Sequence, residues 1–151
     1  MRHGNPQSTA KIAGHPIHPM LIPFPIAFLI ATLVSDIVFW RGAVAFWAVA
    51  SVYLLGAALV MAALAAGAGL TDFLGDSRIR SLPHAWQHMI GNVIVVVLSL
   101  VNFLMRLGDP SAAVVPLGLG LSLLVVLLLI FTGWRGGDLV YRHKVGVQDN
   151  E

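Results

Sequence analysis

Four long apolar runs separated by short polar breaks set the pattern of this chain. A helix crosses a bilayer with roughly 17–25 mostly apolar residues, and each run reaches that length. The first helix is expected to begin at Pro19 or Ile22 and to end at Trp40. Pro16, Pro19, Pro23 and Pro25 leave its start open, because proline suits a first helical turn, where its missing N–H has no partner anyway. The second run, residues 43–70, carries Gly56, Ala57, Ala62, Ala66 and Gly67, small residues that let membrane helices approach closely. Glycines and aspartates in residues 69–76 predict its end and a loop that carries Arg78 and Arg80. The third run, residues 83–105, has Pro83 in its first turn, and the fourth covers residues 112–134. Gly136-Gly137 predict a break after it, with residues 138–144 lying along the membrane surface. No sequence repeat stands out.

Four spans in alternating directions predict an all-α integral membrane four-helix bundle, up-down-up-down, with both termini on one side. Residues 1–13 are expected to be a flexible cytoplasmic tail, 14–144 the four-span domain and 145–151 a C-terminal tail. A polar start followed by an apolar run also fits a signal peptide, but the run is too long and no small-residue cleavage site follows before Arg41. The first helix is therefore expected to stay uncleaved. The side with the termini holds Arg2, Lys11, Arg78, Arg80, Arg135, Arg142 and Lys144, against Arg41 and Arg106 on the other. That asymmetry, in short loops, predicts cytoplasmic termini.

Composition then removes whole classes. The chain is 58% hydrophobic and 11% charged, where soluble domains have about 45–50% apolar and about 25% charged residues. The lipid bilayer is its medium, with no room for a soluble domain besides. The absence of cysteine excludes disulfides, thiolate metal sites and iron–sulfur ligation. Nine Lys and Arg residues cannot form a nucleic-acid-binding face.

The candidate chemistry gathers at one end of the bundle. Gly14-His-Pro-Ile-His-Pro19 puts His15 and His18 where the chain enters the membrane, and His84, His88 and Asn92 recur every four residues on one helix face. Asp72, Arg135, Asp138 and His143 fall at segment ends on the same side. Ionisable residues at membrane depth are functional candidates by default. One reading has the histidines bonding backbone groups left free by prolines and helix ends, with no cofactor. The other has His15, His18, His84 and His88 as ligands of a divalent metal ion, each pair on one helical face. Spans one and three are expected to be diagonal partners, so His18 and His88 also suit a haem b held from both sides. Arg78 and Arg135 would then pair with its propionates, and Gly14 and Gly91 would leave the macrocycle room. Asp36 lies within the apolar belt or near its far edge, at about the level of Asn102. It is expected to bond Asn102 or pair with Arg41, a proton-relay role being the alternative. Trp40, Trp134 and Tyr141 fit interfacial aromatics.

Several of these motifs together resemble a bacterial membrane family called domain of unknown function 2231. They are residues 14–19, Ser35-Asp36, Gly69-Leu-Thr-Asp72, His88-x-x-x-Asn92, Asn102 and the stretch from Gly133 to His143. The resemblance covers nearly the whole chain. It implies a compact four-helix domain of a bacterial inner membrane and no established activity. Relatives joined to Rieske-type iron–sulfur domains hint at electron transfer. Residue by residue, the pattern falls on His15, His18, Asp36, Asp72, His88, Asn92 and His143, and it leaves out His84.

The leading expectation is a haem- or metal-binding membrane module that serves electron transfer with a redox partner. The rival is a structural or accessory subunit whose polar cluster stabilises the fold and docks a membrane-protein partner. Self-association into a homo-oligomer stays open. A transporter ranks third, since four spans offer little pathway and no interrupted helix pair is evident.

Overall fold

The chain enters the membrane through a small polar cap. In the computed structural model, which describes residues 4–148, β1 (Lys11–Ile12) and β2 (His15–Pro16) form an antiparallel hairpin. Its two turn residues, Ala13 and Gly14, both have positive φ (48° and 81°), as a two-residue hairpin turn that follows the strand twist requires. Then α1 (Ile17–Leu21) and α2 (Pro23–Gly42) run together through Ile22, which keeps right-handed helical angles. Span one therefore starts at Ile17, earlier than its prolines suggest. After it come α3 (Ala45–Gly75), the short α4 (Ser77–Arg80) and α5 (Pro83–Met105). Asp109 caps α6 (Pro110–Ala113) by accepting from the Ser111 and Ala112 amides at 3.0 and 3.2 Å. A π segment, Val114–Gly118, with Val115 outside helical angles, leads into α7 (Leu119–Tyr141).

The chain is an all-α membrane bundle: four helical stretches, Ile17–Gly42, Ala45–Gly75, Pro83–Met105 and Pro110–Tyr141, are long and apolar enough to cross a bilayer. Two expected helix ends are corrected. α3 runs five residues past Leu70 to Gly75, and α7 passes through Gly136-Gly137 to Tyr141. An interior glycine costs a helix only about 1 kcal/mol, and close packing against neighbours offsets that cost at Gly69 and Gly136. Conversely, span four is interrupted at Val114–Gly118, where the sequence suggests an unbroken run.

Helix α2 packs along α3 and α5 along α7, while α2 also meets α7 and α3 meets α5. Spans one and three are thus diagonal, as expected, and so are α3 and α7, while α6 at the start of span four meets α3. Leu29, Leu55, Ala58, Val95 and Val125 form the mid-bundle core, and large apolar residues such as Val60 and Ile130 face outward, which suits lipid. Of the small residues of α3, Ala48, Ser51, Ala58 and Ala65 are the buried ones, while Ala66 and Gly67 are exposed.

Residues 4–13, expected to be a flexible tail, are tied down. Asp72 Oδ1 accepts from Ser8 Oγ (2.9 Å), the Thr9 amide (2.7 Å) and the Ala10 amide (2.8 Å). Asp76 accepts from the Gln7 amide at 3.0 Å, and the Gly146 amide donates to Pro6 O at 2.9 Å. Val145 packs on a second apolar cluster of Phe73, Ile79 and Ala85. Both expected tails therefore join into a cap, because Asp72 and Asp76 at the C-terminal end of α3 offer acceptors to otherwise unpaired amides. Arg2 and residues 149–151 lie outside the described residues.

Candidate functional site

The diagonal arrangement brings two histidines together at the end that bears the termini. His18, on α1, and His88, on α5, have ring centres 6.1 Å apart and planes at 87°. Each ring is anchored on a different wall. His18 Nδ1 lies 2.8 Å from Ala65 O on α3, and His88 Nδ1 lies 2.9 Å from Thr132 O on α7. A carbonyl oxygen only accepts, so both Nδ1 atoms carry the hydrogen and Nε2 holds the lone pair in the neutral rings. This is how metal-ligating imidazoles are usually held. Asn92, one turn beyond His88, donates to His88 O at 2.8 Å and lies 3.3 Å from its Nε2.

With a metal–nitrogen bond of about 2.0–2.1 Å and each nitrogen about 1 Å from its ring centre, two imidazoles facing one ion from opposite sides would have centres about 6 Å apart. The observed separation fits. Other parts of the expected site do not assemble. His15 stands exposed in β2, with Nδ1 3.0 Å from Ala13 O, so His15 and His18 do not share a helical face. His84 turns to His143 (Nδ1 to Nε2, 3.3 Å) and to Asp138 (3.7 Å). Among the described residues no group of three or more His, Asp or Glu side chains is arranged to hold a metal. The four-histidine set thus divides: His18 and His88 pair at the centre, His84 turns away to His143, and His15 stays in the hairpin.

The arginines are engaged elsewhere as well. Arg78 grips Asp76 (2.7 Å), and its guanidinium, with help from the Gln7 amide, holds that carboxyl well below the usual carboxylate range. Arg135 reaches Asp138 at 3.5 Å and lies over the Phe131 ring, while Arg142 bonds Asp138 at 2.9 Å. Neither glycine expected to admit a macrocycle opens a gap at the pair. Gly14 sits in the hairpin turn, and Gly91 is pressed against the Thr132 side chain.

A second polar centre lies at the opposite end of the bundle, beyond the apolar core. Asp36 pairs with Arg106, not with Arg41 or Asn102. Nη1 to Oδ1 is 2.6 Å and Nη2 to Oδ2 is 2.8 Å, and both side chains are fully buried. Ser122 donates to Asp36 Oδ2 at 2.6 Å, and Arg106 Nε donates to Asn102 Oδ1 at 2.9 Å. Arg106 also donates to Ser51, and Asn102 donates to Gly118 O at 3.2 Å. One guanidinium thereby joins all four spans. Sequence reasoning missed Arg106, Ser51 and Ser122 because Arg106 reads as a loop cation at the end of span three. The available signal was the placement of Asn102 and Arg106 four residues apart on one face.

The two hairpins, α2–α3 and α5–α7, also follow one plan that sequence comparison alone does not reveal. Each has a histidine at the start of its first span, and eighteen residues later a buried charge: Asp36 after His18, Arg106 after His88. Each histidine bonds a carbonyl of the second span of its own hairpin. The opposite charges make the two halves complementary.

A family model described as predicted membrane protein (DUF2231) matches residues 14–149, which takes in both centres. Neither a curated protein nor a solved structure matches the chain.

Proposed function

The chain belongs to the DUF2231 family of predicted membrane proteins, and we propose that it is a membrane module that holds one metal centre between His18 and His88. The observation that carries this reading is the anchoring of both Nδ1 atoms on backbone carbonyls at 2.8 and 2.9 Å, with ring centres 6.1 Å apart. That arrangement leaves Nε2 as the ligating atom of both rings. Two protein ligands from facing helices suit haem iron, whose remaining positions the macrocycle fills; a bare divalent ion would complete its shell with water. Haem would need the helix ends to part around it. When bound, the iron of haem would supply one-electron transfer with a redox partner. In this reading the termini face the cytoplasm of a bacterial inner membrane, supported by the basic residues around the cap.

Purified protein, produced with haem and metals supplied, tests the proposal. Haem gives a Soret band and sharp reduced bands, and a bare ion gives about one metal per chain by elemental analysis. Either His18→Ala or His88→Ala shifts or abolishes the signal. Protein that is colourless and metal-free under those conditions overturns the reading.

The accessory-subunit reading draws on a different observation. The Asp36–Arg106 centre satisfies its own hydrogen bonds and binds all four spans, which needs no ligand. In that case the exposed outer face docks a membrane-protein partner or a second copy of the chain.

A further inference from the structure

The anchoring of the two histidines depends on what is missing beside them. Ala65 O, which receives His18 Nδ1–H, lies one turn before Gly69 in α3. A Cβ at Gly69 would come to 2.8 Å from His18 Nδ1 and 3.0 Å from Cε1. Thr132 O, which receives His88 Nδ1–H, lies one turn before Gly136 in α7. A Cβ there would come to 2.9 Å from His88 Cε1 and 3.0 Å from Nδ1. In an α-helix the amide four residues on already donates to each carbonyl. The glycine that carries that amide leaves the carbonyl's second lone pair open from the side, and the imidazole lies in the space a methyl group would fill. Nearby glycines are of a different kind. Gly67 and Gly133 would place a Cβ in open space.

We propose that Gly69 and Gly136 are positioning residues of the two-histidine site, each setting the tautomer and direction of one imidazole. The consequence for a metal rests on the metal-centre reading above; the consequence for the tautomer does not. The nitrogen that ligates is decided by the hydrogen bond the other nitrogen makes. A methyl group at either glycine pushes the ring off its carbonyl, releases Nδ1 and so redirects Nε2. The ring has little room to retreat, since a backbone carbonyl holds it on one side and the other imidazole stands on the other. The same device appears once in each hairpin, which sets both ligands by one rule.

Full-length protein with ¹⁵N-labelled histidine in detergent micelles tests this, because ring nitrogen shifts separate the Nδ1–H from the Nε2–H form. In the wild type both His18 and His88, assigned through their alanine variants, should show protonated Nδ1 with slow hydrogen exchange. Gly69→Ala should change only His18, and Gly136→Ala only His88, while Gly67→Ala and Gly133→Ala change neither. Titration with Co(II), and separately with haem b, should show affinity reduced by about tenfold or more in the two seat variants, the range for lost outer-shell support. If Gly69→Ala fails to fold, Gly69→Ala with His18→Ala should fold as His18→Ala does, since the clash is with the ring. Unchanged ring signals in both seat variants, equal changes in the two controls, or no rescue by ring removal would overturn the assignment. Correct ring signals in a wild type that takes up neither Co(II) nor haem would sustain the seats and remove the metal-centre reading instead.

Discussion

Replacement of Asp36 by asparagine separates a buried ion pair from an ordinary membrane hydrogen bond. If Asp36 met only Asn102, the change would cost little, since such bonds average about 0.6 kcal/mol. In the structure it meets Arg106 through two bonds of 2.6 and 2.8 Å, with both side chains fully buried. Asparagine keeps one acceptor, turns an NH₂ towards the guanidinium and leaves the Arg106 charge uncompensated. Breaking a buried pair from one side costs about 3–5 kcal/mol, a large share of the roughly 5–15 kcal/mol that keeps a typical domain folded. Removing both charges, as in Asp36→Asn with Arg106→Gln, should recover most of that loss, because the penalty lies in the stranded charge. Reversible unfolding in mixed micelles with a rising SDS fraction, followed by circular dichroism, measures Asp36→Asn, Arg106→Gln and the double variant. A loss under about 1 kcal/mol in Asp36→Asn, or a double variant as weak as the sum of the singles, would refute the argument.

The remaining predictions concern packing, orientation and the cap. Gly118→Ala puts a Cβ at 2.6 Å from Ala113 O and 2.7 Å from Arg106 Nη2, so it should destabilise the fold by about 1–3 kcal/mol, the usual cost of overpacking, measured in the same unfolding assay. Reporter fusions at the C-terminus and within residues 106–111 should report cytoplasm and periplasm respectively; the reverse pattern would invert the whole assignment. Ionised Asp76 is stabilised in the fold, first by Arg78, so its bond to the Gln7 amide should hold as pH falls to 3.8, its ordinary value, and weaken only below it. The Gln7 amide resonance followed with pH should therefore titrate below 3.8, and Arg78→Ala should raise that midpoint; a wild-type midpoint at or above 3.8 would contradict the pairing.

The sequence by itself determined the membrane class and the four spans, since bilayer thickness translates directly into run length. It also placed His18 and His88 on diagonal helices, because short connections force neighbours in sequence to be neighbours in space. The helix ends misled where glycine was read as punctuation. Gly69, Gly136 and Gly137 lie inside helices, and at Gly69 and Gly136 the space is taken by an imidazole from another span, which local composition does not encode. The cap shows the same limit: a polar tail reads as free until Asp72 and Asp76 are seen to gather its amides. Only the tertiary structure divided the histidines into separate groups, because side-chain direction around each helix depends on how the hairpins pack. It alone gave Asp36 its partner. A lone acid within the apolar belt demands a cation, but whether Arg41 or Arg106 supplies it depends on the depth and rotation of spans one and three, which packing sets and hydropathy does not.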